Sequence, residues 1–168
     1  MYVSLIQLAE RPGALELAQL ASPKHEAVVD AELLDLTLRG LLRNDYSAAE
    51  IAAADAVVAR ITEAAIEASA RIDGYLRQRG YALPLSPVPP IVAGWCRDIT
   101  RYRLSGDRIS EEGSDPVLRD YRDALRFLEQ VAAGKFSLGA NDTVASGERQ
   151  ILATAPGREF TAGTLRDF

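Results

Sequence analysis

Between Arg71 and Arg108 the chain reads RIDGYLRQRGYALPLSPVPPIVAGWCRDITRYRLSGDR, and this stretch limits the fold more than any other. Apolar residues recur at helical spacing on both sides of a run that holds Pro84, Pro87, Pro89 and Pro90. Proline has no backbone donor and keeps its predecessor out of the helical region, so LPLSPVPP can belong to neither helix nor sheet. The segment predicts a stiff, extended, partly polyproline spacer between a helix ending near Arg79 and another starting near Pro90. A PxxP match at Pro84 to Pro87 fits an SH3-type ligand, but a packed connector explains the same residues more simply.

Upstream, the pattern is helical almost throughout. Ser4-x-x-Gln7 is a capping box for a short first helix, Pro12-Gly13 interrupts it, and a second helix spans Ala14 to Ala21 before Ser22-Pro23. Leu33, Leu34, Leu38, Leu41 and Leu42 recur at three- and four-residue steps, which predicts a helix from about Glu26 to Arg43. Ser47-x-x-Glu50 is a second capping box, and Val57, Val58, Ile61, Ala65, Ala68, Ile72, Tyr75 and Leu76 form one stripe behind it. That helix, from Ser47 to Arg79, would be about 48 Å long at 1.5 Å per residue. Downstream, Ile91, Val92, Trp95, Ile99 and Tyr102 mark a helix closed by Ser105-Gly106-Asp107. Pro116 to Gly134 mark the last one. The expected fold is mainly α: a small helical bundle with one long helix, a proline-rich connector and an extended C-terminal tail. Residues 1–135 form the helical domain and residues 136–168 the tail, in which Phe160, Leu165 and Phe168 stand out as apolar anchors.

Chemistry is conspicuous by subtraction. One cysteine, Cys96, allows no internal disulfide and no multi-cysteine zinc site, and one histidine, His25, removes most metal and triad schemes. No phosphate loop, GxSxG elbow, HExxH helix or CxxC pair occurs, and the adjacent Glu111-Glu112 cannot converge on one substrate atom. No catalytic residue, metal ligand or cofactor is expected. The opening residues lack the basic start and apolar run of a signal peptide, and no span approaches the roughly 18 apolar residues of a membrane helix, so no membrane partner is expected.

Charge is distributed in blocks. Residues 1–70 carry 5 basic and 11 acidic side chains, residues 71–108 carry 7 and 3, and residues 109–168 carry 7 and 10. An arginine-rich island therefore sits in a protein of net charge −5. It can serve a phosphate or an acidic partner surface through bidentate guanidinium bonds, or simply pair with the acidic flanks of the same chain.

The blocks MYVSLIQLAER, RIDGYLRQRGYALPLSPVPP, WCRDITRYRLSGDR, YRDALRFLEQVAAGKFSLG and REFTAGTLRDF, taken in order, resemble the head-tail adaptor family of Mu-like phages and prophages. The resemblance covers nearly the whole chain, although residues 22–60 are longer and richer in leucine and alanine than that family's pattern. It implies a structural, non-enzymatic neck protein that forms a homo-oligomeric ring, of twelve subunits, below the portal protein at the capsid vertex. The ring extends the DNA channel, through which DNA passes without sequence-specific binding, and offers a platform to the next neck or tail protein. The implied location is the virion neck, after assembly in the host cytoplasm. On that reading Arg97, Arg101 and Arg103 are candidates for subunit contacts, and Phe160, Leu165 and Phe168 for docking on the portal or a neighbour. The competing reading is a small helical interaction or regulatory protein that binds an acidic partner.

Overall fold

The computed structural model describes residues 1–106 and 115–139. Among them every regular element is helical, as the sequence pattern predicts. Two short helices, α1 (Leu5–Leu8) and α2 (Ala14–Ala21), flank an irregular turn over Ala9–Gly13 in which Arg11 is extended. Helix α3 (Ala31–Arg39) follows, then the 32-residue α4 (Ala48–Arg79), α5 (Pro90–Ser105) and α6 (Pro116–Ala132).

α4 is long because both of its ends are secured and nothing in between breaks it. Ser47 Oγ accepts from the Glu50 amide and Glu50 Oε2 accepts from the Ser47 amide at 2.8 Å, so the expected capping box is formed. At the other end Gly80 takes the left-handed conformation, φ +90°, that lets its own amide close the last turn. The inner face of α4 reads Ala54, Val57, Ile61, Ala65, Ala68, Ile72 and Leu76, all buried. α2 and α3 pack on it from the N-terminal side of the chain, and α5 and α6 from the C-terminal side. One continuous apolar core, from Val3 and Leu8 through Leu34, Ile72 and Ile99 to Leu128 and Val131, results.

α3 is shorter than its leucine pattern predicts. Asp30 accepts from the amides of Glu32 and Leu33 at 2.9 Å each and so starts the helix five residues later than Glu26. The Val29 amide donates to the buried Ser22 Oγ at 3.2 Å, which holds the preceding residues as a loop. Gly40, at φ +69°, ends the helix, and the Leu41 amide reaches back to the Leu36 carbonyl at 2.8 Å. Leu41 and Leu42 therefore leave the apolar face and are 52% and 82% exposed.

Connector residues 81–89 have no regular structure, as expected, but they bend at Leu83-Pro84 and at Ser86-Pro87 instead of running straight. Their position is held by two tyrosines. Tyr2, buried, donates its backbone amide to Ser69 Oγ at 3.1 Å and its hydroxyl to Asp73, and accepts from the Leu85 amide at 3.5 Å. Burial and the Asp73 carboxylate push the Tyr2 hydroxyl up to about 12. Tyr81 accepts from the Leu138 amide at 3.4 Å. Leu138 and Phe136 pack against the core, so the helical body extends a few residues past 135. The last turn of α6 closes over α4: Gly134, at φ +72°, lies against the Arg79 guanidinium, where an added Cβ would be 2.9 Å from Nη1.

These burials make a contrast that unfolding midpoints can check. Leu38→Ala should cost about 2–5 kcal/mol, the range for an emptied leucine site, whereas Leu42→Ser should lie within about 0.5 kcal/mol of wild type. Equal losses at the two positions would mean that α3 continues through Leu42.

Candidate assembly surfaces

Among the described residues of the arginine island, Arg101 and Arg103 pair with acids of their own chain. Arg101, on α5, reaches across to Glu16 of α2, with Nη2 at 2.6 Å and Nε at 2.8 Å from Oε1, and lies 3.6 Å from Asp120 of α6. Only 18% of its side chain is exposed, so this guanidinium ties three helices together. Arg103 pairs with Glu67 of α4, but both side chains are about two-fifths exposed, where such a pair contributes little to stability. Arg71 donates to the Tyr121 hydroxyl, and Tyr121 stacks on Tyr102 with centroids 3.8 Å apart.

Arg97 differs. Its Nε is buried and has no hydrogen-bond partner, and no ion pair to Arg97 forms among the described residues. It lines a groove of about 500 Å³ whose other walls include Met1, Tyr2, Val88, Pro90 and Ala93. Three of the chain's segments meet there: the N-terminal residues, the end of the proline connector and the first turns of α5. Sequence spacing could not show this groove, because it arises when Tyr2 is pulled onto Ser69 and Asp73 of α4.

Asp98, beside Arg97, has a raised pKa. Half-burial is the main cause, the Asp120 carboxylate adds to it, and Arg101, Arg97 and Arg11 pull in the opposite direction. Cys96 is fully buried, with Sγ 3.4 Å from Ser69 Oγ, and burial pushes its thiol up. A protonated thiol in a sealed site is a small core residue and a poor nucleophile. Trp95 is buried against Phe127 and Phe136, with ring centroids 6.1 and 6.3 Å away, as a core anchor should be. Phe127 remains 40% exposed on the outer side of this cluster.

Among the described residues no group of histidine, cysteine, aspartate or glutamate is arranged to hold a metal ion, and no helix is long and apolar enough to cross a membrane. Phe160, Leu165, Phe168 and the pair Glu111-Glu112 lie outside the described residues.

The raised Asp98 pKa has a definite sign. A carboxyl whose folded pKa exceeds its unfolded value favours the native state below the unfolded pKa, near 3.9, and loses that contribution as pH rises through the folded value. Asp98→Asn should therefore raise the melting temperature at neutral pH, and the gain over wild type should vanish below about pH 4. A gain independent of pH would show that charge is not its cause.

Comparison with known proteins places these features in a family. The family model described as Bacteriophage Mu, Gp36 matches residues 2–153. The Mu-like prophage FluMu protein gp36 of Haemophilus influenzae is 44% identical over 113 residues, which is 66% of this chain and 76% of that protein. Gene product J of Escherichia phage Mu is 37% identical over 91 residues, covering 54% of this chain and 61% of the phage protein.

Proposed function

The chain belongs to the Bacteriophage Mu Gp36 family, and from that premise we propose that it is a structural protein of the phage neck: a head-tail adaptor that forms a ring below the portal, extends the DNA channel and presents a docking platform to the next neck or tail component. The observation that carries this reading is the family match over residues 2–153, which takes in every described helix. The architecture is consistent with it. A subunit of a closed ring must keep its shape while presenting two different faces to its neighbours. Here a single core joins all the helices, and Leu41, Leu42, Ile66 and Phe127 remain exposed around it.

The arginines bear on the mechanism in two ways. A channel that lets DNA slide should not line its wall with free cations, because these would bind phosphates and hold the duplex. Arg101 and Arg103 are neutralised by Glu16, Asp120 and Glu67 within the subunit, which suits that demand. Of the three candidates, only Arg97 is left for an outside carboxylate, and a small regulator of an acidic partner would use the same residue. Imaging the protein mixed with purified portal separates the two readings. A second ring stacked on the portal is the expected result, and portals that stay bare would favour the regulator.

Residues 140–168 are proposed to carry the docking anchors Phe160, Leu165 and Phe168. Cutting the chain after Gly139 keeps Phe136 and Leu138 on the core. Such a truncation should retain the helical circular dichroism of the full chain and lose portal binding. Undiminished binding would assign docking to the helical body.

A further inference from the structure

A guanidinium with a buried, unpaired Nε is costly, and in native proteins such groups have an explanation. Among the described residues two are present, Arg79 and Arg97. Arg79 is covered by the fold itself, since its guanidinium lies against the backbone at Gly134. Arg97 instead opens on the groove, whose walls are the apolar Met1, Val88, Pro90 and Ala93 on one side and the polar Ser4 and Gln7 on the other. Met1 and Val88 are 55% and 37% exposed, so the apolar rim is open as well. At about 500 Å³ the groove is within the range that holds a small ligand or a few peptide side chains. A guanidinium beside apolar side chains in a groove of mixed lining suits a carboxylate next to a large apolar side chain.

The chain carries that combination twice in its last eleven residues. Arg158-Glu159-Phe160 and Arg166-Asp167-Phe168 repeat the order arginine, acid, phenylalanine. The route to the groove is also short. Leu138 is bonded to Tyr81 at the start of the connector, and Val88 and Pro90 at its far end form the groove wall. Seven residues of connector span at most about 25 Å. Thirty residues separate Leu138 from Phe168, a length for which chain statistics give a root-mean-square reach of about 30 Å, and a tether whose reach matches the gap gives the highest effective concentration.

We propose that the groove around Arg97 is a docking site for the acid-phenylalanine motifs of the chain's own C-terminal segment, with Glu159 or Asp167 on Arg97 and the adjoining Phe160 or Phe168 between Met1, Val88 and Pro90. The same aromatic residues are the portal-docking candidates, so the groove stores the anchors in the free subunit and releases them when a better surface is met. The groove contact does not depend on the ring reading and stands or falls separately from it.

Disulfide trapping in the full chain tests this. Cys96 is buried and does not compete. Val88→Cys combined with Thr164→Cys, between the two motifs, should close within the monomer about tenfold faster than Val88→Cys combined with Ser146→Cys, the gain expected if docking contributes ~1.4 kcal/mol. Arg97→Glu should remove the difference. Glu159→Arg with Asp167→Arg should also remove it, without touching the helical body, and all three changes together should restore it. Equal closure at positions 164 and 146, or closure indifferent to these charges, would overturn the proposal. Links formed only between molecules would overturn it too, by assigning the groove to the tail of another copy.

Discussion

A helix of 32 residues stays single in a small protein only if its apolar side is covered along its whole length, because helix propensity alone leaves an isolated helix marginal in water. In this chain α2 and α3 cover α4 from one half of the sequence, and α5 and α6 from the other. Every other element takes its position from that coverage. The Arg60 guanidinium on α4 caps the Ala21 carbonyl at the end of α2 at 2.6 Å, and the Ser69 hydroxyl on α4 receives Tyr2. Arg79, at its last turn, meets the end of α6.

Much of this was legible in the residues. The two capping boxes, the glycine at position 80, and proline at the first turn of α5 and of α6 each act within a few residues of their own position, and each marks its helix end correctly. α3 shows where periodicity misleads. Five leucines suggest a longer helix, yet a capping aspartate and a left-handed glycine act locally and override the pattern. Tertiary contacts were not legible at all. Nothing near Tyr2 foretells Asp73, and nothing near Arg101 foretells Glu16, 85 residues away. The block pattern of charge did foreshadow pairing between the island and its flanks, without showing which arginines would pair.

Of Arg97, Arg101 and Arg103, Arg97 alone has no ion-pair partner among the described residues. Ion pairs within the chain engage Arg101 and Arg103. Half-burial is the main cause of the raised Asp98 pKa, and the like charge of Asp120, beside Arg101, adds to it. A cluster of this kind contributes to the relative placement of α2, α5 and α6 more than to net stability. Among the described residues the one thiol is sealed, the tryptophan is a core anchor and no metal-binding group forms.

The central claim is that α4 binds both halves of the chain into one cooperative body. Native-state hydrogen exchange along α4 tests it most directly. Amides from Val57, under α2 and α3, and from Ile72, under α5 and α6, should exchange with the same free energy, equal to that of global unfolding. If the first half of α4 opened at a markedly lower free energy than the second, the N-terminal helices would be a separate unit and the single rigid subunit would be contradicted.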